Sequence, residues 1–226
     1  MTVGDAEAAG LCVVVLHGHA MAPEDLAPFA RSMGVPGLYC FPAGLRAAEP
    51  RGRSWWPVDE EARQQAQCGG PRDLAHISPA AREPARAAVA SLLRQPPLAG
   101  ARTRVLAGFS QGGMLACDTL LHEEVTVDGL ALFSSSRIAL PQWTPRRDRL
   151  RGLPALVTHG RGDEDLAFEA GCGLYQWLAE SGALARWLPF EGGHEMPLAV
   201  WREFRRFLRE ISAGARSPSH GQGPCE

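Results

Sequence analysis

The chain has 226 residues, 45% of them hydrophobic and 21% charged, the balance of a globular domain with its own core rather than of a disordered chain. A formal net charge of −2 gives no electrostatic case for nucleic acid or an anionic membrane surface as the partner. No apolar run approaches the roughly 20 residues that span a bilayer, and residues 1–10 lack the basic start and apolar stretch of a secretory signal, so a cytoplasmic protein without a membrane span is expected.

Residues 11–16, Leu-Cys-Val-Val-Val-Leu, form a short continuous apolar run rich in β-branched side chains that stops at His17-Gly18. Such a run reads as a strand buried on both faces. Residues 38–41 are a shorter strand candidate, closed by Pro42, and residues 46–77 are irregular, with Trp55, Trp56 and several prolines and glycines. A helix is expected over 78–94, with Ser78 as N-cap and Pro79 at the first helical position, although Pro84 can delay or kink its start.

Residues 103–107 read as a strand running into Gly108-Phe-Ser-Gln-Gly-Gly113 and then into an apolar helical pattern that lasts to Leu121. Residues 129–133 and 154–158 are two further buried strands, 170–181 an amphipathic helix and 185–190 the last strand. Pro197 opens a final helix that carries Val200, Phe204, Phe207, Leu208 and Ile211 on one face. Strands alternating with helices predict an α/β fold, a mostly parallel central sheet with helices on both faces. No linker divides the chain, so one domain over 1–211 is expected, followed by a disordered tail at 212–226 that lacks apolar periodicity. The six cysteines are scattered, without C-x-x-C pairs or histidines at metal-ligand spacing. A disulfide framework is not expected, and a reduced compartment fits better.

The sharpest chemical signal is Gly108-Phe109-Ser110-Gln111-Gly112. A G-x-S-x-G between a strand and a helix is a tight turn in which the glycines admit close backbone approach and the serine hydroxyl stands exposed at the helix N-terminus. The N–H after the serine and the helix dipole then face a developing oxyanion. A serine hydroxyl is a weak nucleophile, so a base and an acid that orients the base are needed downstream. His194, after Gly192-Gly193 and before the last helix, sits where an exposed base belongs. The acid should follow the strand at 154–158, where Asp163, Glu164 and Asp165 crowd together. Periodicity does not separate Asp163 from Asp165. His17 reads as structural, orienting the loop after the first strand.

Together Leu16-His17-Gly18, Gly108-Phe-Ser-Gln-Gly-Gly-Met114, His159-Gly-x-x-Asp163 and Gly192-Gly-His-Glu-Met-Pro197 resemble the phospholipase/carboxylesterase family, which includes acyl-protein thioesterases and small bacterial carboxylesterases. The resemblance runs from about residue 11 to 209. It implies an α/β-hydrolase fold without a large lid domain, no cofactor and no metal, and a small-molecule ester or thioester as substrate. It also implies Ser110, Asp163 and His194 as catalytic triad, with an oxyanion hole from the backbone N–H groups of His19 and Gln111. The chain departs from the family in reading His19-Ala20-Met21 after the His-Gly pair, and in its segment 46–77. There Trp55 and Trp56 are candidate substrate-binding residues. Adjacent side chains of an extended segment face opposite ways, so one indole should face the cleft and the other the body of the domain. A carboxylesterase with an acyl-enzyme intermediate is the leading expectation, a thioesterase or lysophospholipase with the same triad the alternative, and an inert ligand-binding module the distant one. A homodimer stays open.

Overall fold

The computed structural model describes residues 1–5 and 10–214. Its centre is a seven-stranded sheet. Six strands run parallel: β2 (Leu11–Leu16), β3 (Leu38–Cys40), β6 (Thr103–Phe109), β7 (Gly129–Phe133), β8 (Pro154–Gly160) and β9 (Leu184–Phe190). A three-residue strand, β1 (Thr2–Gly4), closes one edge antiparallel to β3, and the order across the sheet is β1-β3-β2-β6-β7-β8-β9. The continuous apolar run of β2 is buried at every position because both faces of the sheet are covered. Cys12, Val14 and Leu16 pack on one side and Leu11, Val13 and Val15 on the other.

Helices α1 (Pro23–Ser32) and α7 (Leu198–Ser212) cover the second of these faces, with Leu26, Phe204 and Phe207 in its core. The first face is covered by α3 (Glu83–Leu93), α4 (Gln111–His122) and α6 (Phe168–Glu180), through Val89, Leu115 and Leu174. The irregular segment folds as a two-stranded hairpin, β4 (Arg46–Ala47) with β5 (Arg53–Ser54), followed by α2 (Glu60–Gln67). A single turn, α5 (Leu140–Trp143), follows β7.

Helix α3 begins four residues later than Ser78-Pro79 predicts, with Arg82 as N-cap. Ala81 takes a positive φ of 55° that no helix accepts, and the Ser78 hydroxyl accepts from Arg82 Nη1 at 2.8 Å instead of capping a helix. Pro84 then falls in the first turn, where its missing N–H costs nothing. Helix α7 continues to Ser212, and residues 215–226 of the expected tail at 212–226 lie outside the described ones. Among the described residues Cys12, Cys40, Cys68 and Cys117 are free. Among the described residues no helix is long and apolar enough to cross a membrane.

Candidate active site

The parallel register delivers the chemistry to one edge. Leu16 pairs with Gly108, so the loop from His17 leaves beside the turn at Ser110. Gly160 pairs with Phe190, so the loops carrying Asp163 and His194 leave side by side. Ligands in open α/β sheets bind at this carboxyl edge.

Ser110 sits between β6 and α4 with φ 51° and ψ −118°, a conformation that costs a non-glycine residue on the order of 1–3 kcal/mol. Its surroundings hold it there. Its N–H donates to Phe133 O at 2.9 Å, its carbonyl accepts from Gly113 N–H at 3.0 Å, and the Ser135 hydroxyl donates to the same carbonyl at 3.1 Å. Both motif glycines are sterically required. A Cβ on Gly108 would lie 2.3 Å from the Gly112 backbone, and one on Gly112 would lie 2.2 Å from Leu16 O. Gln111 opens α4, so its N–H has no partner within the helix.

His194 Nδ1 lies 2.7 Å from Asp163 Oδ2. Asp163 is fixed from several directions. Its Oδ1 accepts the backbone N–H groups of Asp165 and Leu166, each at 2.9 Å, and its Oδ2 also lies 3.2 Å from Nε2 of the buried His159. Burial alone would raise the pKa of this carboxyl. The hydrogen bonds from His159 and His194, the His194 charge and the Leu166 backbone N–H outweigh it and hold Asp163 well below the usual carboxylate range. Gly162 N–H donates to Gly192 O at 2.9 Å, which ties the Asp163 loop directly to the His194 loop.

Asp165, which the residue pattern alone leaves equivalent to Asp163, has different partners. Arg63 Nη2 donates to its Oδ2 at 2.7 Å, Gln67 Nε2 to its Oδ1 at 2.8 Å, and Arg72 pairs with the same Oδ1. Its Oδ2 is 3.8 Å from His194 Nε2. Burial pushes this carboxyl up, and the two guanidinium groups pull it below its ordinary value.

A cavity of about 460 Å³ opens over these groups, lined by Ser110, His194, His19 and Gln111. Its lining includes the apolar side chains of Met21, Leu26, Phe29, Trp56, Phe109 and Met114 and the charged ones of Arg63, Arg72 and Asp165. The Phe109 ring packs against the His194 imidazole, centroids 4.9 Å apart. Among the described residues no cluster of three His, Cys, Asp or Glu side chains has the geometry to hold a metal ion.

The sequence profile of the phospholipase/carboxylesterase family matches residues 49–212, more than half of the chain. The chain belongs to that family. Its α/β-hydrolase architecture is shared with the esterase PE8, whose crystal structure superposes with a TM-score of 0.75 over 93% of this chain and 97% of that one, at 22% identity. An acyl-protein thioesterase 2 from Zea mays superposes at 0.68, covering 94% and 98% of the two chains at 15% identity. The Arabidopsis thaliana protein named "Probable carboxylesterase SOBER1-like" is 26% identical over 123 residues, 50% of this chain and 44% of that protein. The aligned part is thus less than half of that relative's length.

Within this family frame, Trp56 reaches the cavity and Trp55 does not. As a candidate substrate-binding residue Trp55 is corrected: it lies in the core, and Trp56 is the indole of the pair that lines the cavity. The Trp55 ring stacks on His17 at 5.0 Å and donates Nε1–H to His17 O at 2.9 Å. Both indoles are buried, on the bend that follows β5. His17 in turn accepts from Gly44 N–H at 2.8 Å, and burial lowers its pKa, so it buttresses the loop as a neutral ring. Sequence reasoning missed His159 as a holder of Asp163, although their separation of four residues across the H-G-x-x-D turn was a usable signal. It also missed Arg63 and Arg72, which local pattern does not connect to residue 165.

Proposed function

We propose that the protein is a serine hydrolase that cleaves carboxylic esters with apolar acyl groups through an acyl-enzyme. The observation that carries this reading is the His194–Asp163 contact at 2.7 Å, with His194 lining the same cavity as Ser110 on its strained turn. Ser110 Oγ attacks the ester carbonyl while His194 Nε2 takes the hydroxyl proton. Asp163, charged at neutral pH, accepts the Nδ1–H and stabilises the imidazolium. The tetrahedral oxyanion accepts from the backbone N–H groups of His19 and Gln111. His194 then returns the proton to the leaving alcohol, and water repeats the sequence on the acyl-serine. The acyl group lies along the apolar lining, against Trp56.

The same groups would serve a thioester or a lysophospholipid, and the fold shared with an acyl-protein thioesterase keeps thioesters in the comparison. The test is a panel of p-nitrophenyl esters and acyl thioesters of graded chain length, run on the purified protein and on Ser110→Ala. The variant should fold normally and lose on the order of 10⁶ in kcat. Retention of more than a few per cent of the rate would remove Ser110 as nucleophile. An inert binding module would neither turn over the panel nor react with a fluorophosphonate.

A further inference from the structure

The side chains of the two residues assigned to the oxyanion hole meet at one buried hydroxyl. Ser54, at the end of β5, has its Oγ 3.1 Å from His19 Nδ1 and 3.1 Å from Gln111 Oε1. The same Gln111 oxygen accepts Trp55 N–H at 3.0 Å, which fixes which end of the amide is oxygen. Ser54 Oγ also lies 2.5 Å from Trp56 O. The other ring nitrogen of His19, Nε2, pairs with Glu60 in the first turn of α2, and Arg63 Nη1 holds the second Glu60 oxygen at 3.3 Å. A continuous chain of polar contacts therefore runs from α2 through His19 and Ser54 to Gln111.

The backbone explains why such a chain is useful. His19 lies on a turn in which Ala20 has a φ of 58°, tied down by Arg53 N–H donating to Met21 O at 2.8 Å. Gln111 opens α4 after β6, the strand that pairs with β2, but His19 lies beyond Leu16, where that pairing ends. No regular element fixes the position of the first relative to the second. The Ser54 hydroxyl oxygen, 3.1 Å from a polar atom of each side chain, does. We propose that Ser54 and Glu60 are positioning residues of this hydrolase, which set the spacing of the His19 and Gln111 backbone N–H groups through the side chains of those two residues. The proposal rests on the serine-hydrolase reading above.

An oxyanion hole acts through pre-set geometry, and losing one donor costs about 10²–10³ in rate. Loosening a donor without removing it should cost less, about tenfold to a hundredfold in kcat, with ground-state binding along the apolar lining unaffected. Glu60 carries the test, because α2 buries none of its side chains and Glu60→Ala should fold with an unchanged Tm. Kinetics on p-nitrophenyl butyrate should show kcat reduced about tenfold or more, with KM within about twofold. Inhibition by an alkyl trifluoromethyl ketone, which binds as a tetrahedral oxyanion, should weaken in step with kcat. Glu60→Gln keeps an acceptor for His19 Nε2 and should recover most of the rate. Ser54→Ala repeats the measurement from the other end of the chain of contacts. Wild-type kcat and unchanged ketone affinity in Glu60→Ala would overturn the proposal while the hydrolase reading stands. A wild-type protein that neither hydrolyses the ester nor labels with a fluorophosphonate would remove the hydrolase reading, and the proposal with it.

Discussion

Asp118 and Asp163 both have side chains with no exposure to solvent, but the groups around them differ in kind. Asp118, on α4, accepts from Arg82 Nε at 3.0 Å, Arg86 Nη1 at 3.1 Å and Trp143 Nε1 at 2.7 Å. These donors never titrate at ordinary pH, and they tie α3 and α5 to α4; the one imidazole beside Asp118, His122 with Nδ1 3.3 Å from Oδ1, lies one turn along the same helix and does not line the cavity. Asp163 is met by two backbone N–H groups and two imidazoles. One imidazole is buried with it, and the other stands in the cavity. Burial of a carboxylate therefore does not mark a site by itself. A partner that can gain and lose a proton, on a loop that faces a cavity, does.

Substitution separates the two carboxylates. Asp163→Asn should reduce kcat by about 10⁴, because an amide at this position favours the wrong tautomer of His194, and the folded protein should remain. Asp118→Ala should leave kcat of the folded protein unchanged and cost about 3–5 kcal/mol of stability, the usual consequence of stranding buried arginines. Steady-state kinetics and denaturant unfolding on both variants check the pair. Equal effects of the two on kcat would erase the distinction.

The difference between these aspartates also shows what was legible in the sequence. Ser110 was readable because its signal is local: a buried strand, two glycines at fixed offsets and a helix start, all within one turn. The six parallel strands were readable for the same reason, from apolar runs whose ends the structure moves by only one or two residues, whereas β1 (Thr2–Gly4), three residues without such a run, was missed. Choosing Asp163 over Asp165 was not local. The two lie two residues apart on one loop, and only the partners brought by β9 and by α2 distinguish them. The segment 46–77 stayed opaque because its two-residue strands and exposed helix α2 carry no apolar period. They are held by contacts to the His17–Met21 loop and to Asp165. Helix α1 escaped notice despite Pro23 at its first position and Glu24 and Asp25 in its first turn, since Pro28 interrupts its pattern.

The tryptophan pair offers a smaller version of the same contrast. Trp55→Ala should cost about 3–5 kcal/mol of stability as a core truncation with little change in chain-length preference. Trp56→Ala should raise KM for short or aromatic acyl esters about tenfold, the loss of 1–2 kcal/mol of apolar contact. If both only destabilise, the acyl group lies elsewhere along the cavity.

The smallest effect expected is at Asp165. Its folded-state pKa is depressed, so its contribution to stability is present above the unfolded carboxylate value of about 4 and is lost as pH falls through the lower folded value. Asp165→Asn should therefore lower Tm near neutrality and flatten the decline of Tm between about pH 5 and pH 3, while kcat at neutral pH falls less than about tenfold. Thermal melts across that range check the sign, and parallel curves for the two proteins would contradict it.

The central claim is that Ser110 is acylated during turnover. Rapid quenching of the protein with excess p-nitrophenyl butyrate, followed by peptide mass mapping, tests it most directly. The account predicts a burst of p-nitrophenol and a butyryl adduct on the peptide containing Ser110, absent from Ser110→Ala. Hydrolysis without any adduct on that peptide, or an adduct on another residue that persists in Ser110→Ala, would contradict it.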